Sequence, residues 1–191
     1  MAEQILEQLF DSPLKVRLLK LFLRHPGHKF TMKEITQRVN ESSQACRRHI
    51  EKFRNIKLVE SRLKGRSRFY SVNTRFDFYN ELRTLVLKSS PASKKKMIDK
   101  FKKIGRVKLI VLSGIFVNLE NPRLDILIVA DNVKKSKLSS FLNDLEAEAG
   151  KDIDYVLLTS AEFKYRYGMF DRFLKDILER PHEKLINKLN V

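Results

Sequence analysis

Ser42-Ser43-Gln44-Ala45-Cys46-Arg47-Arg48-His49-Ile50-Glu51-Lys52-Phe53 is the stretch on which the fold turns. Cys46, Ile50 and Phe53 recur four and three residues apart, so on an α-helix they form one apolar stripe. At ~100° per residue, Gln44, Arg48 and Glu51 point to the opposite side, with Arg47 on the flank. Ser42 or Ser43 serves as N-cap, and the helix runs to about Asn55. Its outward side offers glutamine and arginine, whose hydrogen-bonding patterns match adenine and guanine edges. His49 lies about 60° from the apolar stripe and reads as a histidine at the edge of the core.

Upstream, Thr31-x-x-Glu34 is a capping box opening a short helix from Met32 to Val39, closed by Asn40. Only Asn40 to Ser42 separate it from the next helix, which is helix-turn-helix spacing. Ser12-Pro13 starts an earlier helix, with Leu14, Val16, Leu18, Leu19, Leu21, Phe22 and Leu23 making it largely buried. Pro26-Gly27 stops it, and the flanking His25 and His28 have no evident third ligand. Downstream, Lys57 to Leu63 reads as a strand, Lys64-Gly65 as a two-residue turn and Arg66 to Val72 as the return strand. Arg62, Lys64, Arg66 and Arg68 then stand on or beside one hairpin tip. Such a tip attracts phosphates. The same charges would also guard an edge hairpin against aggregation.

The charge of the whole chain fits the first of these readings. Its 191 residues carry 39 Lys+Arg against 23 Asp+Glu, a net charge of +16. Residues 1–90 hold 19 basic and 9 acidic side chains, so the excess concentrates in the first half. A polyanionic partner, nucleic acid above all, is the expected consequence. With 42% apolar and 32% charged residues, the chain has the composition of a folded protein, not a disordered one. A single cysteine, Cys46, excludes an internal disulfide and a multi-thiolate metal site. No apolar run reaches the ~18–20 residues of a membrane span. The first ten residues carry two glutamates and no basic cluster, unlike a secretory signal, so the expected compartment is the cytoplasm.

Residues 12–73 resemble the winged-helix domain of ArsR-type transcription regulators. The resemblance rests on Lys33-Glu34-Ile35-Thr36, on Ser42 to Ile50, on Lys57-Leu58-Val59-Glu60-Ser61, and on Lys64-Gly65-Arg66-Ser67-Arg68-Phe69-Tyr70 at the wing. It implies that double-stranded DNA is the partner. The DNA-binding set is then Ser43, Gln44, Arg47, Arg48 and Lys52 on the helix, with Arg62, Lys64, Arg66 and Arg68 on the wing. The chain departs from the family in two ways. Lys57 replaces the glycine usual before Leu-Val, and the thiolate pairs of metal-sensing members are absent.

A linker is expected at Lys88-Ser89-Ser90-Pro91-Ala92-Ser93, dividing the chain into residues 1–90 and 91–191. Before it, Phe76 to Leu87 reads as a helix with Phe76, Tyr79, Leu82, Leu85 and Val86 near one face; by the resemblance, such a helix often joins two protomers. After it, a helix begins at Pro91 or Ser93 and runs through Lys103, with Gly105 as its stop. Strands are expected at Val107–Leu112, Leu124–Ala130 and Ile153–Leu158. Helices are expected at Lys135–Ala149, Ala161–Tyr167 and Phe170–Leu178. Phe163, Tyr165 and Tyr167 read as core packing or as a surface for bases.

Val111-Leu112-Ser113-Gly114, followed after about ten residues by Arg123-Leu124-Asp125-Ile126-Leu127-Ile128-Val129, resembles a minimal nucleotidyltransferase domain. That family pairs a Gly-Ser turn with three carboxylates that hold Mg²⁺ beside a nucleoside triphosphate. Here the turn is Ser113-Gly114, the first carboxylate position is Arg123, the second is Asp125, and the third would be Asp154. A guanidinium in place of a carboxylate changes the local charge by about two units against a metal cation. Arg123 is therefore expected to pair with Asp125 or with an anion, and transfer activity to be lost.

The expected fold is α+β or α/β in two domains: an N-terminal winged helix-turn-helix and a C-terminal small mixed sheet covered by helices. The expected function is a sequence-specific DNA-binding regulator, acting as a homodimer, with no cofactor or metal and with a C-terminal domain for assembly or for sensing a nucleotide or other anion. Two alternatives are an active nucleotidyltransferase with a docking winged helix, and a winged helix that docks protein or RNA.

Overall fold

The computed structural model describes residues 2–88, 94–117, 119 and 121–191. It is a mixed α+β fold of two compact units. One comprises Met1–Ser89 with Asn143–Asp152, the other Ser90–Leu142 with Ile153–Val191. Residues 89–93 of the expected linker lie outside the described residues.

In the first unit the helices start where side chains can satisfy free backbone N–H groups. After α1 (Ala2–Leu9), the Ser12 hydroxyl accepts from the Lys15 N–H at 3.2 Å to open α2 (Pro13–Arg24). Thr31 and Glu34 form a reciprocal capping box at α3 (Met32–Val39): the Thr31 N–H donates to Glu34 Oε2 at 2.7 Å, and the Glu34 N–H to Thr31 Oγ1 at 3.3 Å. Asn40 takes the left-handed conformation that ends it. Ser42 then caps α4 (Ser43–Asn55) through the Ala45 N–H.

The end of α4 turns on Lys57. Its φ is +63°, the left-handed region that favours glycine. Lys57 N–H bonds to Arg54 O and Leu58 N–H to Phe53 O, both at 2.9 Å, the paired bonds of a Schellman cap. The strand therefore starts later than the sequence suggests: β2 is Val59–Lys64 and β3 is Ser67–Val72. Lys64 pairs with Ser67, so the loop is Gly65-Arg66 and not Lys64-Gly65. Gly65, at φ +61°, supplies the positive φ that the first position of a type II′ turn requires.

A two-residue strand β1 (Phe30–Thr31), unforeseen in the sequence along with α1, completes a sheet of order β1-β3-β2. The core joins the buried face of α2 to Ile35 and Val39 of α3, to Cys46, Ile50 and Phe53 of α4, and to Tyr70 and Val72 of β3. Helix α5 (Tyr79–Lys88) packs on it through Val86, with Phe76, Tyr79, Leu82 and Leu87 at the margin; Leu85, expected on that face, is exposed. Residues 143–152 add a close backbone approach. A Cβ on Gly150 (φ +74°) would meet Leu21 N at 2.7 Å, and His25 Nε2 donates to Gly150 O at 2.9 Å.

The second unit is built on an open four-stranded sheet of order β6-β5-β4-β7. Strands β4 (Arg106–Leu112) and β5 (Ile126–Asp131) are antiparallel neighbours, and β6 (Tyr155–Leu158) runs parallel to β5. The last strand, β7 (Glu183–Asn187), pairs antiparallel with β4. It has no apolar alternation to announce it and escapes a reading of the sequence. The central strands are apolar on both faces because helices cover both. On one face Leu109, Val111, Leu127 and Val129 meet Phe163 of α8 (Ser160–Gly168) and Leu174 and Ile177 of α9 (Arg172–Glu179). The remaining helices are α6 (Lys94–Lys102), with Met97 and Phe101 buried, and α7 (Lys135–Ala149), whose Phe141 ring meets Phe101 edge-on at 4.7 Å. Among the described residues no helix is long and apolar enough to cross a membrane.

Candidate nucleic-acid interface

The buried stripe of α4 fixes what its other side shows. With Cys46, Ile50 and Phe53 packed inward, Ser43, Gln44, Arg47, Arg48 and Lys52 are all exposed. Ser42, not Ser43, is the cap, so the Ser43 side chain is free of that bond. Glu51 on the same side is held by Arg54 at 2.7 Å, which neutralises the acid on that side.

The hairpin supplies a second set of cations. Strand alternation and the observed register place Arg62 and Lys64 on one face of the sheet, with Phe69 opposite Arg62. Leu63 and Arg68 lie opposite each other on the other face, the one that carries Val59, Tyr70 and Val72 to the core. Arg66 sits in the turn. The four charges thus surround the tip instead of lining one side. Leu63 is 70% exposed among them, a feature that charge counting overlooked.

None of Arg47, Arg48, Lys52, Arg62, Lys64, Arg66 and Arg68 makes a side-chain hydrogen bond or ion pair among the described residues. Uncommitted guanidinium and ammonium groups on adjoining elements can each neutralise a phosphate, and arginine can reach a guanine edge in bidentate fashion. Burial, then Lys15, Lys52 and Arg48, hold His49 below its ordinary value of 6.5, and its Nδ1 is buried with no hydrogen-bond partner among the described residues. Cys46, at the floor of α4, is pushed up to about 11 by burial and stays a neutral thiol.

The second expected site has a different construction. Asp125 is fully buried. Its carboxylate accepts the Ile115 N–H at 2.9 Å and the Asp154 N–H at 3.2 Å. Ser113 N–H bonds to Asp125 O, and Gly114, at φ +52°, begins a 3₁₀ turn against that carboxylate. Asp125 thus ties the Ser113-Gly114 turn to the chain entering β6. Asp154 is exposed and joins this knot through its backbone.

Arg123 does not pair with Asp125 as expected. It reaches Asp176 on α9, with Nη2 at 2.9 Å and Nε at 3.1 Å. The reason is burial: Asp125 lies inside among backbone donors, whereas the long arginine stem carries its charge outward to an accessible carboxylate. Among the described residues no group of three or more His, Cys, Asp or Glu side chains is placed to hold a metal ion. Comparison with protein families, with curated proteins and with solved structures finds no match for the chain.

Proposed function

We propose that the chain is a sequence-specific DNA-binding transcription regulator. In this reading α2, α3, α4 and the β2–β3 hairpin form a winged helix. Helix α4 enters the major groove, where Gln44, Arg47 and Arg48 meet base edges, with Ser43 and Lys52 beside them. Arg62, Lys64, Arg66 and Arg68 of the wing hold the neighbouring backbone. The observation that carries the proposal is the set of seven cations, uncommitted among the described residues, on an exposed helix side and the adjoining hairpin, in a chain of net charge +16. Phosphate contacts of this kind position a protein, and base contacts specify its site.

The second unit serves assembly or senses a nucleotide or other anion, as a nucleotidyltransferase-like domain that has lost transfer chemistry. The commitment of Asp125 to two backbone N–H groups, and of Arg123 to Asp176, supports the loss. Visible transfer of label from a nucleoside triphosphate to any acceptor would reverse this part of the proposal.

Selection of bound duplexes from random DNA at two salt concentrations tests the main claim. The expected result is an enriched motif, with two-fold symmetric half-sites if the protein binds as a homodimer, and affinity that falls as salt rises. Enrichment of no motif sinks it and favours docking to protein or RNA.

A further inference from the structure

The junction of α8 and α9 holds an aromatic residue in a conformation the isolated chain does not reward. Phe170 has φ +54° and is 86% exposed. Its N–H bonds to Tyr167 O, and the next N–H, of Asp171, to Arg166 O, so Phe170 occupies the Schellman position at which glycine is preferred. A bulky residue there is an outlier. Its ring, largely in water, lines one side of a groove of about 360 Å³ together with Tyr167, Leu174, Lys175, Leu178 and Glu179.

The charge of this surface is as unusual as its shape. Residues 160–179 carry four basic and four acidic side chains, a net of zero within a chain of +16. Two such chains repel one another at long range, and the repulsion at contact is weakest where the local net charge is zero. Lys175 and Glu179 stand 3.7 Å apart on the exposed side of α9, and a two-fold axis can exchange that pair for Lys175 of one copy against Glu179 of the other, as an isologous contact requires. Carboxylates at the rim oppose a polyanion.

We infer that α8 and α9 form a self-association surface, on which the Phe170 ring of each copy seats in the Tyr167–Leu174–Leu178 groove of the other. This claim is independent of DNA binding.

Sedimentation of the full chain without DNA, across concentration and salt, tests it. The wild-type chain is expected to dimerise reversibly. Its dimer should strengthen with added salt, as screening weakens the repulsion between two +16 chains. Phe170→Gly suits the left-handed backbone, so the variant should fold at least as stably as wild type while its dimer weakens at least about a hundredfold, since two-fold symmetry removes two buried rings. Tyr165→Ser, on another side of α8, should leave the dimer intact. A wild-type chain that stays monomeric overturns the inference. So does a Phe170→Gly variant that dimerises normally, above all if Leu85→Arg on α5 abolishes dimerisation instead. If Phe170→Gly weakens binding of a single-stranded oligonucleotide and leaves the wild-type association state unchanged, the groove belongs to nucleobases and not to a second copy.

Discussion

Lys57 shows how a single residue can keep a fold while departing from its usual sequence. The backbone at the end of α4 needs a positive φ, and lysine holds it because the two Schellman bonds and the packing of Leu58 beside Phe53 over-determine the turn. A non-glycine residue in this region costs about 1–2 kcal/mol. Lys57→Gly is therefore expected to raise the denaturant midpoint by the equivalent of about 0.5–1 kcal/mol, part of the relief being offset by the greater freedom of glycine in the unfolded chain. An unchanged or lower midpoint contradicts this account of the turn. Gly114 is the opposite case. A Cβ there would stand 2.1 Å from Asp125 Oδ1 and 3.0 Å from Pro122 Cγ. The carboxylate cannot retreat without giving up its bonds to the Ile115 and Asp154 N–H groups. Gly114→Ala should thus cost about 2–4 kcal/mol, from backbone strain together with lost hydrogen bonds. Equilibrium denaturation reads this directly, and a loss below about 1 kcal/mol would show that the turn is not locked.

At the scale of elements, α4 and the hairpin are proposed to divide the labour of recognition. Replacing Arg47 and Arg48 with Ala should weaken the preferred duplex by about 1–3 kcal/mol per specific contact and relax sequence choice. Replacing Arg66 and Arg68 with Ala should weaken all duplexes alike and flatten the dependence of affinity on salt. Binding titrations on a selected and a scrambled duplex separate the two patterns, and identical behaviour of both double variants would refute the division. The apolar face of α4 was legible in the sequence because the helical period alone dictates it. The hairpin loop was misplaced by one residue, since Gly65 can serve either position of a two-residue turn and only the pairing of Lys64 with Ser67 decides. Helix α8 could not be read from its aromatics alone. Phe163 is buried and stacks on Tyr167 at 5.6 Å, while Tyr165 faces solvent.

Across the whole molecule, the histidines and carboxylates with displaced pKa values act in one direction, whereas the raised Cys46 thiol matters only in alkali. Burial holds both His25 and His49 below the ordinary 6.5. The Thr31 N–H holds Glu34 below 4.5, and the Ser160 hydroxyl and N–H hold Asp131 below 3.8. In each case the folded chain binds protons less readily than the unfolded one, so stability rises with pH. The histidine contribution is fully present above pH 6.5 and is lost as pH falls through the lowered values in the folded state. The carboxylate contributions begin to fade only below pH 4.5 and 3.8. Denaturation midpoints should therefore drop already between pH 6.5 and 4.5, before either carboxylate titrates, and replacing both histidines with Gln should flatten that first decline. A midpoint constant over this window in the wild-type chain would show that neither histidine is held neutral by the fold.

The sequence by itself determined what depends on neighbours within one or two helical turns. These features include the Ser12 and Thr31 caps, the stop at Asn40, and the inward stripe of Cys46, Ile50 and Phe53, while the choice of Ser42 over Ser43 as cap fell to the structure. Only tertiary structure decided the partners of charged and weakly patterned residues. Arg123 meets Asp176 and not Asp125, β7 adds itself to the edge of β4, and Phe170 stands exposed at a strained corner. The physical reason is range. Caps and periodicity are fixed by backbone geometry over a few residues, whereas the choice among carboxylates for one guanidinium, or among edges for one strand, depends on burial and chain reversals set by residues far apart in sequence.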